Sequence, residues 1–258
     1  MLLDRVSIKS EAKDIVKNAS VSAYLFTLLF LALSWLLAGM SDYVSLNEET
    51  VYNIYYATGV DLSFLVLHRA FPALLVTFVT ILAALLGVLL EIGYILYHLG
   101  IRRGREMPYL TLFDGFSFAG KVILLYIVQY IFIFLWSLLF VIPGIIAGYR
   151  YRFALYNLCE NPKIGVMEAL NMSKAQTWGH KWELFVLDLS FIGWNLLCGL
   201  TLGILSIWIT PYIQQTDIGY FEAIKQMSGV GYQPPRDDGE FHQDTRFDGG
   251  PSDWDPER

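Results

Sequence analysis

The chain has 258 residues, is 55% hydrophobic and has a mean hydropathy of +0.46, too apolar for an ordinary water-soluble domain. Its net charge of −6 is unevenly placed: residues 229–258 carry −5, which leaves −1 on residues 1–228 and no basic field for nucleic acid. Cys159 and Cys198 lie far apart, and His68, His98 and His180 show no ligand spacing, so neither a metal nor another cofactor is expected.

Residues 1–19 read as an amphipathic helix. Arg5, Lys9 and Lys13 recur at every fourth position, with Lys17 next, beside apolar Val6, Ile15, Val16 and Ala19. Such a stripe suits either a membrane interface, where its cations meet anionic lipid, or plain solvent. A first span is predicted over residues 20–40. No small-residue cleavage pattern follows it, so it reads as an uncleaved anchor.

Residues 41–69 are polar, with Asp42, Glu48, Glu49 and Asp61 against Arg69. A second span covers residues 71–100, contains Glu91 and is followed at once by Arg102, Arg103 and Arg105, which are candidate lipid-headgroup contacts. Lys and Arg mark the cytoplasmic side of a membrane. This predicts an inside N-terminus, an outside acidic loop and an inside arginine cluster.

A third span covers residues 121–142 and ends at Pro143-Gly144. Proline lacks an amide donor and restricts the residue before it, so a helix break is predicted there. Residues 145–159 then resume an apolar helical pattern that is short for a span. It either crosses with its arginines partnered or is re-entrant. Residues 160–181 form an amphipathic segment that Lys163, Lys174 and Lys181 assign to the cytoplasmic side.

From Leu184 to Ile213 there are thirty residues and one charge, Asp188. One helix of that length would measure about 45 Å, more than a bilayer core of about 30 Å requires. Gly199 and Gly203 in its middle and Pro211 near its end fit two limbs with a turn near residues 200–202, which returns the C-terminus to the cytoplasm. The alternative is one tilted span with an interfacial end. Gly199 and Gly203 also have the small-residue spacing that lets two helices approach. After Ser228 the Pro, Gly and Asp content predicts a disordered acidic tail. The chain thus reads as three parts: a cytoplasmic interfacial helix (1–19), a single membrane domain (20–228) and the tail (229–258). The fold class is all-α and polytopic, with about six hydrophobic helical elements, some short, broken or re-entrant, plus interfacial amphipathic helices.

In order along the chain stand Pro143-Gly144-Ile145-Ile146, Asn161-Pro162, Ser173, Gly179-x-Lys181, the block Leu187–Trp194 (LDLSFIGW), Leu200–Ile204 and Pro211-Tyr212. This series resembles the bacterial integral-membrane family of domain of unknown function 975, found mainly in Gram-positive bacteria. The likeness covers roughly residues 5–225, and Phe191-Ile192-Gly193-Trp194 is its most specific part. The architecture is also similar to the membrane domain of some glycerophosphodiester phosphodiesterases, without their catalytic domain. The resemblance implies a helical fold in a bacterial cell membrane and brings no reaction, ligand or catalytic residue.

An ion inside hydrocarbon costs several kcal/mol unless partnered or hydrated. Counted at about 1.5 Å per residue, Asp188 lies about 10 Å from Lys181, Arg152 about 12 Å from Glu160 and Glu91 about 16 Å from Arg102. These comparable depths predict that Arg150 or Arg152 meets Asp188, Glu91 or both. The two arginines are about 200° apart on a helix and cannot share one partner. Such a cluster serves as a structural tie, as a proton relay or headgroup pocket, or as side chains that snorkel to the interface. Walker, serine-elbow and zinc-protease motifs are missing from the sequence. The expected function is therefore non-enzymatic: an accessory or scaffold subunit acting through the bilayer, anionic lipids, other membrane proteins or a second copy. The alternative is a transporter or channel for a small solute, ion or lipid that uses the intramembrane Glu/Asp/Arg cluster.

Overall fold

The computed structural model describes residues 3–45, 48–60 and 71–231. Asp61, His68, Arg69 and the acidic tail from residue 232 onward lie outside the described residues. Helix α1 (Arg5–Asn18) starts at Asp4, whose carboxylate accepts the amides of Val6 and Ser7 at 3.1 and 3.2 Å. Then come α2 (Ala23–Ser45), α3 (Glu48–Thr58) and α4 (Ala73–Arg102). A 3-10 segment (Tyr109–Phe118) leads directly into α5 (Ala119–Leu139). The remainder is α6 (Val141–Arg150), α7 (Ala154–Glu160), α8 (Val166–Gln176), α9 (Lys181–Leu200) and α10 (Ser206–Ser228). No strand occurs among the described residues, so the fold is all-α.

Among the described residues four helical stretches are long and apolar enough to cross a membrane: Ala23–Ser45, Ala73–Arg102, Tyr109–Leu139 and Lys181–Leu200. Only 11–17% of the apolar part of each is buried. Apolar helices this exposed suit lipid, since hydrocarbon demands internal backbone pairing and accepts any apolar side chain. The number is smaller than the six elements expected. The fifth, α6, has ten residues, and the sixth is the start of α10, whose polar second half lowers its apolarity.

The expected break at Pro143-Gly144 is corrected by the structure. The chain turns at Phe140, where φ −163° and ψ 156° are extended, and Pro143 lies inside the first turn of α6. Proline fits there because first-turn amides have no intrahelical acceptor. Gly144 serves the next step, since a Cβ there would stand 2.0 Å from Ser137 Oγ on α5, so the two helices fold tightly back on one another. Residues 145–159, expected as one element, are two: α6 and α7 meet at a kink over residues 151–153.

The turn expected after α9 is present. Thr201 caps the helix, and Leu202 and Gly203 have φ of 52° and 84°. A Cβ on Gly203 would lie 2.9 Å from the Trp35 indole. Trp35 stands twelve residues into α2, about 18 Å along a helix, and α2 continues to Ser45. The α9–α10 hairpin therefore ends beside the middle of α2. Gly199 has no neighbour within 4 Å of a built Cβ, so it does not mediate a close helix crossing.

The core gathers at one end, the packed end. There the C-terminal half of α4 is enclosed by α1, α2, the 3-10 segment, α7 and α10. Ile8, Ala12 and Val16 form the buried stripe of α1.

Candidate functional site: an arginine held by two aspartates

Arg152 sits at the α6–α7 kink because α8 satisfies the backbone that the kink leaves open. The Arg150 carbonyl accepts the hydroxyls of Ser173 at 2.9 Å and Thr177 at 3.3 Å, and Ser173 Oγ accepts the Phe153 amide at 3.1 Å. From this kink Arg152 donates to both oxygens of Asp188, Nη1 to Oδ2 at 2.6 Å and Nη2 to Oδ1 at 2.8 Å. Its Nη2 also donates to Asp217 Oδ1 on α10 at 3.0 Å. Tyr149 on α6 donates its hydroxyl to Asp188 Oδ2 at 2.8 Å. The fork geometry makes this a strong, directional contact that ties α6, α9 and α10 together.

The triad holds one cation and two carboxylates, so it carries a net −1. Burial raises the pKa of the Asp217 carboxyl, Arg152 opposes the shift, and Asp188 adds to it. Burial works against the charge on Arg152, yet Asp217 and Asp188 more than offset this and hold it protonated. Of the three side chains, Asp188 is the most open at 40% exposure, against 20% for Arg152 and 15% for Asp217.

Of the cluster expected from depth counting, the structure brings together Arg152 and Asp188. Glu91 stands apart and accepts the Tyr126 hydroxyl at 3.0 Å. The Arg150 guanidinium lies 5.8 Å from the Tyr151 ring centroid, outside the triad. Asp217 went unnoticed in the sequence because it lies four residues past the apolar stretch. Its only signal is a lone acid in the sequence QQTDIGYF between polar and apolar helix faces.

The headgroup candidates Arg102 and Arg103 face carboxylates of the protein itself. Arg102 contacts Glu222 at 2.5 Å and Glu11 at 2.9 Å. Arg103 contacts Glu160 and, at 3.9 Å, Glu222, while Lys225 contacts Glu160 at 2.5 Å. Three cations and three carboxylates thus join α1, α4, α7 and α10. Arg105 lines an open cleft of about 730 Å³ with Glu106 and the Ser7, Glu11 and Asp14 face of α1. Gln215 donates to His98 Nδ1 at 3.0 Å and to the His98 carbonyl at 2.8 Å, a buried α4–α10 link. Among the described residues no group of His, Cys, Asp and Glu has the arrangement of a metal site.

Fold and ion pairs together define an all-helical protein of membrane character with a polar, ion-paired packed end. The chain belongs to the family described as Protein of unknown function (DUF975), whose family model matches residues 1–146 and 138–228. No curated protein and no solved structure matches the chain at a significant level, so the likeness to glycerophosphodiester phosphodiesterases has no support there.

Proposed function

We propose that this chain is a non-catalytic integral membrane protein of the bacterial cell membrane. It acts as an accessory or scaffold subunit through protein or lipid partners, with its N-terminus and packed end on the cytoplasmic side. The observation that carries this reading is the division of the molecule. Exposed apolar helices face outward, while ion pairs link α1, α4, α7 and α10, and α9 and α10 with the α6–α7 kink, at the other end. The basic residues of α1 and those after α4 support the cytoplasmic placement. Purification of the full chain in mild detergent, followed by identification of what accompanies it, tests this function. A stoichiometric partner or a stable self-assembly is expected, and a bare monomer from native membranes overturns it.

A second reading, transport of a proton or small cation, is favoured by one observation: the triad has an excess carboxylate, and Asp188 is its accessible member. Proton uptake by vesicles carrying the protein, lost in Asp188→Asn, would replace the scaffold reading.

A further inference from the structure

The cations of the packed end differ in their partners. Arg102, Arg103, Arg152 and Lys225 each contact a carboxylate. Arg5, Lys9 and Lys13 have no such ion pair among the described residues. They stand on one side of α1, and the acids of α1 and of the start of α9 bond other groups or lie on another side. Asp4 caps its own helix, Glu11 is taken by Arg102, Asp14 lines the cleft on the other side, and Glu183 bonds His180 at 3.1 Å.

This side of α1 is pressed against the α9–α10 hairpin. Lys9 Nζ donates to Ser190 Oγ at 2.7 Å and lies 4.3 Å from the Phe191 ring centroid. Lys13 Nζ lies 5.6 Å from the Tyr212 ring centroid. These rings attract the cations through their π faces and leave the positive charge in place. Burial, and then repulsion from Arg5 and Lys13, lowers the pKa of the Lys9 ammonium. An anion brought to this spot would relieve that repulsion. On the Ser190 side of α9, Trp194 and Leu197 stand four and seven residues on and are exposed, and Leu189, Ile192 and Leu196 are exposed around the rest of the helix. A cationic ledge beside an apolar wall has the two-part chemistry of a phospholipid, with phosphate at one end and hydrocarbon at the other. A free phosphate would use only the ledge.

We propose that Arg5, Lys9 and Lys13, with the Ser190 hydroxyl, form a headgroup site for an anionic phospholipid whose acyl chains lie along the exposed face of α9. The site differs from Arg102 and Arg103, whose charges Glu11, Glu222 and Glu160 already occupy. It rests on the membrane placement proposed above and names the lipid class that this placement would recruit. Occupancy would fix α1 to the hairpin and so couple the packed end to the charge of the surrounding membrane.

The test uses the full chain in neutral detergent, with thermal unfolding followed during titration with dioctanoyl phosphatidylglycerol, dioctanoyl phosphatidylcholine or inorganic phosphate. Phosphatidylglycerol should raise the unfolding temperature, and the other two should not. Lys13→Gln, at an exposed position, should weaken half-saturation about fivefold, and Lys9→Gln/Lys13→Gln further, while Lys174→Gln on α8 stays at the parental value. Should the double variant fail to fold, Lys13→Gln alone decides. An equal response to phosphatidylcholine, an equal response to inorganic phosphate, or equal weakening by Lys174→Gln each overturns the assignment. Membrane fractionation of the expressing cells before solubilisation keeps the two proposals apart. A chain absent from the membrane fraction removes the membrane reading, while a membrane-bound chain indifferent to phosphatidylglycerol removes the site alone.

Discussion

Helix α4 runs through two environments. From Ala73 to Val88 it is largely exposed, with Leu74, Leu75, Phe78, Ile81 and Leu82 facing outward. From Leu89 to Ile101 every residue except Glu91 is buried. Hydrophobicity does not separate the halves, since both are rich in Leu and Ile. What separates them is shape and polarity. The packed half has Gly93, where a Cβ would stand 2.0 Å from the Leu112 carbonyl oxygen of the 3-10 segment, and Gly115 opposite, where a Cβ would meet the Leu89 carbonyl at 2.6 Å. It also has polar groups with assigned partners, His98 with Gln215 and Arg102 with Glu222. A lipid-facing helix needs only apolar side chains, whereas a protein-facing one must fit its neighbours.

The largest expected effect comes from taking the cation out of the packed end. Arg152→Gln leaves Asp188 and Asp217 facing each other unneutralised, and loss of one partner of a buried ion pair costs about 3–5 kcal/mol. Exposure of Asp188 places the expectation at the low end, about 3 kcal/mol. Thermal unfolding in detergent reads it, and Arg152→Gln/Asp217→Asn should recover part of the loss. A single variant as stable as the parent would mean that the ion pairs do not hold this end together.

Leucines on the two halves of α4 give the next contrast. Leu99, 2% exposed, should cost about 2–5 kcal/mol as Leu99→Ala, while exposed Leu82→Ala should stay within about 0.5 kcal/mol in detergent. Similar losses at both sites would show that the open half is covered by something in the purified protein, such as a second copy. The glycines sharpen the same point. Gly93→Ala should cost about 1–3 kcal/mol through its clash with the Leu112 backbone. Gly87→Ala, with nothing within 4 Å, should be neutral or slightly stabilising because alanine is the better helix former.

The sequence shows the open half more clearly than the packed one, for a physical reason. Length and apolarity alone make α2, α4, α5 and α9 legible, and counting depth is enough to suggest that Arg150 or Arg152 meets Asp188, Glu91 or both, without choosing among them. The packed end depends on side-chain geometry that no period encodes. Residues Tyr109–Phe118 wind as a 3-10 segment whose place is set by Gly93 and Gly115, so they carry no helical stripe to read. Pro143 looks like a break because proline ends helices, yet it equally suits a first turn, and Phe140 took the extended conformation instead. Arg102 and Arg103 look like interfacial cations because Glu11, Glu160 and Glu222 are remote in sequence and become neighbours only on folding.

The smallest effect concerns the excess carboxylate of the triad. Burial raises the folded pKa of Asp217 above its ordinary value of 3.8, and Arg152 only partly opposes the shift. The folded state therefore binds this proton more tightly than the unfolded state, so the contribution of Asp217 to stability is complete below pH 3.8 and is lost as pH rises through the raised value. Compared with Asp217→Asn, the parent should lose unfolding temperature progressively as pH climbs above that point. Arg152→Gln removes the opposing cation and should push the loss to higher pH, whereas Leu82→Ala, far along α4 on its open half, should leave the profile unchanged. Parallel profiles for the parent and Asp217→Asn would show that this carboxylate is as well hydrated as one at the surface, and the packed end would then be wetter than its burial implies.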